Sequence, residues 1–191
     1  MSDLSQSTND SCRLRFYRDP ILRVTCSPVH EFDDSMEGLV LKMATTMHGY
    51  EGIGLAAPQV GIPLRMFVAD VGDGLLVVAN PEIQEREGSE RMVEGCLSLP
   101  EIHVEIERSR QIFLSGLTAS GEERTWECSG LKARVVQHEI DHLDGVLIID
   151  HASFTERLIL RRQMKRLEKL QKRTGGLAHS DLRTPSNHRA L

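Results

Sequence analysis

Cysteine is sparse in this sequence and never paired at close spacing. The four, Cys12, Cys26, Cys96 and Cys128, form no C-x-x-C unit in 191 residues. That excludes a disulfide-stapled scaffold and fits a reducing cytoplasm. Long apolar runs are missing too: none approaches the ~20 residues that a membrane span needs. The chain's start lacks the apolar segment of a secretory signal. Residues 1–11 are polar and Ser-rich, and Asp3 and Asp10 argue against an Arg-rich, acid-poor transit peptide. A disordered start is expected there. No internal repeat is found, so nothing suggests a stacked-repeat architecture.

What is present is ordinary for a globular chain: 40% apolar and 27% charged residues. The length suits one domain with one core and some residues to spare. The expected organisation is a single domain over 12–173, ending in a helix over 155–173, and a flexible tail over 174–191. The net charge of −5 is unevenly spread. Residues 155–191 carry ten Lys/Arg against three acids, giving +7, and the rest of the chain carries −12. A basic end on an acidic body suggests a partner for that end, although solvated helix faces often carry such runs.

Periodicity predicts a helix over 33–50, where Met36, Leu39, Val40, Met43 and Met47 recur at helical spacing and Asp34 with Glu37 resembles a capping box. A Gly-rich segment follows. Short β-like runs come next, over 64–71, 75–79, 83–87, 104–107, 111–117 and 123–128, separated by turn signals such as Asn80-Pro81. Their immediate succession favours antiparallel pairing. A second helix is predicted over 131–143, with Leu131, Val135, His138 and His142 on one stripe. The last helix is expected to turn Leu158, Ile159, Leu167 and Leu170 inward. The order helix, strands, helix, helix gives an α+β class: antiparallel sheets packed around a central helix, with a C-terminal helix.

That central helix carries His138-Glu139-Ile140-Asp141-His142. Residues four apart share a helix face, so both imidazoles can reach one ion, and Glu139 can take a proton from water that the ion acidifies. The third ligand decides the class. A zinc endoprotease of the H-x-x-G-x-x-H type would need histidine where Ile148 stands, and the downstream Glu168 sits among Lys and Arg. Cys96 is the better candidate, in Glu94-Gly-Cys-Leu-Ser-Leu-Pro100. One thiolate and two imidazoles leave a fourth position open, as catalysis requires, whereas a purely structural site would close it.

Three segments together resemble the signature motifs of peptide deformylases, in that family's order: Gly52-Ile-Gly-Leu-Ala-Ala-Pro-Gln-Val-Gly61, Glu94-Gly-Cys-Leu-Ser-Leu-Pro100 and Gln137-His-Glu-Ile-Asp-His-Leu-Asp-Gly145. The resemblance spans roughly residues 12–172. It implies a hydrolase that removes the formyl group from N-terminal formylmethionine of nascent peptides. Cys96, His138 and His142 would bind one divalent metal, with Fe2+ favoured and Zn2+, Ni2+ or Co2+ tolerated. Glu139 would be general base and acid, and Gln59 with the Leu97 backbone N–H would hold the oxyanion. Gly54, Glu94, Met92, Leu131 and Val135 would face substrate. Arg108 would pair with Glu94 to brace the cysteine loop, and Asp141 would help orient the ligands. His103 stands where some members carry an arginine thought to hold the peptide, and it is expected to face solvent. In some members a C-terminal helix docks on the ribosome, which the basic helix over 155–173 would permit. Neither a membrane nor DNA is an expected partner. The competing readings are an HExxH endoprotease and an inactive deformylase-like metal-binding protein.

Overall fold

The computed structural model describes residues 11–174. The expected disordered start and flexible tail lie, but for residues 11 and 174, outside the described residues. In chain order the elements are α1 (Asp34–Gly49), β1 (Gly54–Ala56), β2 (Met66–Ala69), β3 (Leu76–Glu87), β4 (Glu90–Glu94), β5 (Val104–Arg108), β6 (Gln111–Leu117), β7 (Glu123–Ser129), α2 (Gly130–Leu143), α3 (Ile148–His151) and α4 (Phe154–Thr174). Strands β1-β2-β3-β6-β7 form one antiparallel sheet in that order, and β4 pairs with β5 in a second. The class is α+β.

Strand alternation sorts the core into two faces. On β2, Met66 and Val68 join the α1 methionines Met36, Met43 and Met47. Phe67 and Ala69 turn the other way, toward Val135, Val136, Ile140 and Leu143 of α2. The large sheet is thus held between two helices. Each fully buried side chain such as Phe67 contributes about 1.5–3 kcal/mol. A third cluster joins β5, the Cys96 loop, α3 and α4 through Cys96, Leu99, Val104, Ile106, Ile148 and Leu160.

Four local expectations need correction. The cap of α1 is Asp33, whose side chain accepts from the Ser35 N–H, one residue before the expected Asp34. Asn80-Pro81 does not end a strand: β3 runs through it with a register shift. Asn80 adopts φ +49 and its side chain bridges to the N–H and C=O of Val29 at 2.8 and 2.9 Å. Asn tolerates that left-handed backbone, and Pro81 needs no ladder partner, so the pair makes a bulge. Helix α2 is not amphipathic along one stripe. Ala133 to Ile140 are all buried, while Leu131 remains 43% exposed. Finally, α4 packs through Leu160 and Leu167, with Met164 half-buried between them, and leaves Leu158 and Ile159 outward. The side chain of Leu170 lies outside the described residues.

Candidate metal centre and active site

Helix α2 sets His138 and His142 one turn apart with ring centroids 5.0 Å apart. The loop after β4 brings Cys96 Sγ to 3.2 Å from His142 Nε2. One ligand atom from each of the three residues lies within 4.8 Å of the others, and all three side chains are buried. Burial pushes the Cys96 thiol up to about 12, against the opposing backbone N–H groups of Ser98 and Leu99. Burial also pulls His142 well below its usual value, helped by neighbouring His138. A buried thiol beside two buried imidazoles, one of which resists protonation, is a donor set that a divalent cation stabilises in ligand form.

Below this triangle lies a closed network of charges. Glu94, at the end of β4, has no solvent exposure. It accepts from Arg108 Nε (2.6 Å) and Nη2 (2.9 Å), from Arg134 Nη1 (2.6 Å) and from His138 Nδ1 (3.1 Å). Burial alone, the largest influence, would raise its carboxyl. The hydrogen bonds from His138 and Arg108, with the Arg108 charge, outweigh it and bring it down to about 2. Glu94 is therefore ionised through the neutral range and loses its charge only as the pH falls through about 2. An ionised Glu94 fixes the proton of His138 on Nδ1 and leaves the Nε2 lone pair on the side of Cys96. That Nε2 is buried and has no hydrogen-bond partner among the described residues. It is the atom a metal ion would claim, so the residues fit such an ion.

Glu139 is fully buried, and neither carboxyl oxygen has a hydrogen-bond partner among the described residues. Burial raises it well above the usual carboxylate range, against the pull of Arg108. It lies against β1, in the space left by the side chain Gly54 lacks: a Cβ there would stand 2.2 Å from Glu139 Oε1 and 2.8 Å from Val135 Cγ1. Gln59 sits in the short 3-10 turn Ala57–Val60 that follows β1. Its Oε1 accepts the Ala56 N–H at 2.7 Å, and its Nε2 donates to Ser98 Oγ at 3.2 Å and lies 3.7 Å from Cys96 Sγ. The side chain is thus locked with its amide protons on the side of the metal ligands.

The structure brings together Cys96, His138, His142, Glu139, Gln59, Gly54 and Val135. Leu97 sits beside Cys96, with its side chain against Gly52. Met92 and Leu131 are 41% and 43% exposed, on the surface and not in the core. Glu94, expected near substrate, is instead enclosed by two guanidinium groups and His138. Asp141 accepts from Arg108 Nη1 at 2.9 Å. His103 is exposed.

Sequence reasoning missed Arg134, which holds Glu94 and the carbonyls of Ile106 (3.1 Å) and Glu90 (2.6 Å). It also missed Ser98, Gln137 and His151. For Arg134 a signal existed: an arginine between Ala133 and Val135 on a buried helix requires a buried anion. Gln137 staples α2 to the β5–β6 turn through the N–H and C=O of Ser109.

The profile of the polypeptide deformylase family matches residues 12–158. A peptide deformylase from Thermotoga sp. (strain RQ2) is 49% identical over 162 residues, 84% of this chain and 99% of that protein. The crystal structure of peptide deformylase from Thermotoga maritima shares 51% identity with a TM-score of 0.73, covering 75% of this chain and 98% of that one. A Legionella pneumophila peptide deformylase structure superposes with a TM-score of 0.80 at 35% identity, covering 86% and 99%.

Proposed function

The chain belongs to the polypeptide deformylase family, a family of metal-dependent hydrolases that release formate from N-formylmethionyl peptides, and we propose how its own residues divide that work. The observation that carries the assignment is the buried Cys96, His138, His142 triangle beside an unpartnered Glu139. Cys96 Sγ and the Nε2 atoms of His138 and His142 would hold one divalent ion, which supplies Lewis acidity toward water and a carbonyl oxygen. Glu139 takes the proton of the water that adds to the formyl carbon. The negative charge that develops on the formyl oxygen is met by Gln59 Nε2–H and the Leu97 backbone N–H. As the C–N bond breaks, Glu139 returns the proton to the methionine nitrogen, and formate departs. Water is consumed and no other reactant is needed.

Strand β1 lies at the sheet's edge, paired with β2 alone among the described strands. Its unpaired edge suits an extended peptide read through its main chain, with the methionine side chain directed toward Val135, Leu131 and Met92. Gly54→Ala should therefore do two things: crowd Glu139 and disturb the peptide strand. The expected loss is up to about 10²-fold in kcat/KM, the scale of a ~1 Å misplacement, with metal content unchanged. Parental activity in that variant would show that Glu139 has room to yield.

The reaction is tested by incubating metal-loaded protein with formyl-Met-Ala-Ser. Formate and Met-Ala-Ser are expected, and cleavage of an internal peptide bond without formate would favour an endoprotease. We assign Fe2+ as the native ion, since a thiolate with two imidazoles accepts Fe2+, Zn2+, Ni2+ or Co2+ and availability then decides. The iron form should lose activity in air faster than the nickel form, because ferrous iron bound to a thiolate exposes both metal and sulfur to oxidation. Equal half-lives would count against iron chemistry at Cys96.

No helix among the described residues is long and apolar enough to cross a membrane. We place the enzyme in the cytoplasm, where its formylated substrates are made. Helix α4 presents Arg161, Arg162, Lys165, Arg166 and Lys169 outward, opposite its packed Leu160 and Leu167. This stripe fits the RNA-rich rim of the ribosomal tunnel through salt-sensitive phosphate contacts. Changing Arg161, Arg162, Lys165 and Arg166 to Glu should abolish co-sedimentation with ribosomes at low salt and leave hydrolysis of a short formyl peptide intact. Unaltered sedimentation would leave α4 a structural element only.

A further inference from the structure

We propose that His151 is a positioning residue for the metal centre, acting through Asp141 and Arg108. Its Nε2 lies 2.7 Å from Asp141 Oδ2, the same oxygen that accepts from Arg108 Nη1 at 2.9 Å. Asp141 precedes the ligand His142 on α2. Arg108 donates from its other two nitrogens to Glu94, and Glu94 holds the ligand His138. Each of the three guanidinium nitrogens of Arg108 thus donates to one of two carboxylates. Glu94 is sealed from solvent, whereas Asp141 retains 24% exposure of its side chain. Asp141 is the point where water can enter the network, and His151 covers it from outside with its own side chain 32% exposed.

The position of His151 is itself fixed from several directions. Ile148 and Ile149 of α3 are buried in the cluster that contains Cys96. Asp150 accepts the Leu147 N–H at 2.8 Å and pairs with Arg23. Arg157 of α4 donates to the carbonyls on either side of His151, to Asp150 at 2.6 Å and to Ala152 at 2.8 Å. A four-residue helix pinned in this way holds an imidazole against one carboxylate. With His151 gone, Asp141 trades that partner for water and can swing away from Arg108. Arg108 then loses one side of its clamp, and the orientation of Glu94 toward His138 loosens.

The inference rests on the metal reading of Cys96, His138 and His142, and cobalt separates the two. Cobalt(II) bound by a thiolate and two imidazoles gives visible absorption bands that report ligand geometry. In chelator competition, His151→Ala should bind cobalt about tenfold more weakly than the parent, the lower end of what partners behind metal ligands contribute. Its visible bands should shift, and kcat should fall more than KM changes. His151→Gln, whose amide N–H reaches the same carboxylate, should recover most of the affinity. The metal-free His151→Ala protein should melt with its parent. Unchanged affinity, a loss that glutamine does not recover, or a parallel drop in metal-free melting temperature would each overturn the positioning role. A parent protein that shows no cobalt bands would overturn the metal reading itself, and this inference with it.

Discussion

Glu139→Gln is expected to bind metal like the parent and to lose about 10²–10⁴ in kcat, the span of a general acid–base contribution. The substitution is isosteric, and neither carboxyl oxygen makes a hydrogen bond that glutamine would forfeit among the described residues. What disappears is the capacity to accept a proton and return it. The fold should not suffer. A carboxyl enclosed by Gly54 and Val135, without a bonded donor, is costly to bury in its charged form. Metal-free Glu139→Gln should therefore melt no lower than the metal-free parent at neutral pH. Metal analysis, steady-state kinetics on a formyl peptide and thermal melting check the three parts. A variant retaining most of its kcat would show that proton transfer runs through another group.

The elements that sequence could reveal are those whose residues declare themselves locally. Helix α1 carries methionines at Met36, Met43 and Met47, all buried. Strand β5 alternates Val104, Ile106 and Arg108 inward with Glu105 and Glu107 outward. Elements fixed by distant partners were hidden. Strand β1 is three residues of a Gly-rich run and becomes a strand because Met66–Ala69 pairs with it. Strand β4, mostly exposed and charged, exists through its ladder with β5. The phase of α4 is hidden from sequence for a related reason. Leu158 and Ile159 are as apolar as Leu160, and only the position of the third core cluster makes Leu160, Met164 and Leu167 the inward row.

The site divides the same way. Two histidines four apart on a helix define a ligand pair by geometry alone, and the Cys96 loop was visible by its sequence. Of the support behind the ligands, only Arg108 and Asp141 were visible, through the family resemblance. Arg134, Ser98 and His151 are separated along the chain from Glu94, Gln59 and Asp141 by 40, 39 and 10 residues. Nothing local distinguishes Ser98 and His151 from solvated residues, and only the buried helix around Arg134 hints at its partner. The role of Arg134 follows from burial, because an anion such as Glu94 with no solvent exposure must be matched by cations, and one arginine does not saturate its oxygens.

Gln59 provides the second large effect. Its Oε1 is occupied by the Ala56 N–H and one amide proton by Ser98 Oγ, so the side chain cannot swing away from the metal ligands. The remaining proton points toward Cys96 Sγ at 3.7 Å, too long for a strong bond and free to serve a better acceptor. An oxygen gaining negative charge during the reaction is such an acceptor. Gln59→Ala should cost about 10²–10³ in kcat with metal bound, as loss of a preorganised oxyanion donor does elsewhere. Gln59→Glu is the sharper variant. It keeps an oxygen for the Ala56 N–H and the same shape, but it removes both amide protons and sets a negative charge beside the thiolate. Its loss should equal or exceed that of alanine, which a purely space-filling role does not predict. Ser98→Ala, which frees the amide without removing it, should lose less than either. A defect confined to KM in both Gln59 variants would instead make Gln59 a residue that seats the peptide before the chemistry begins.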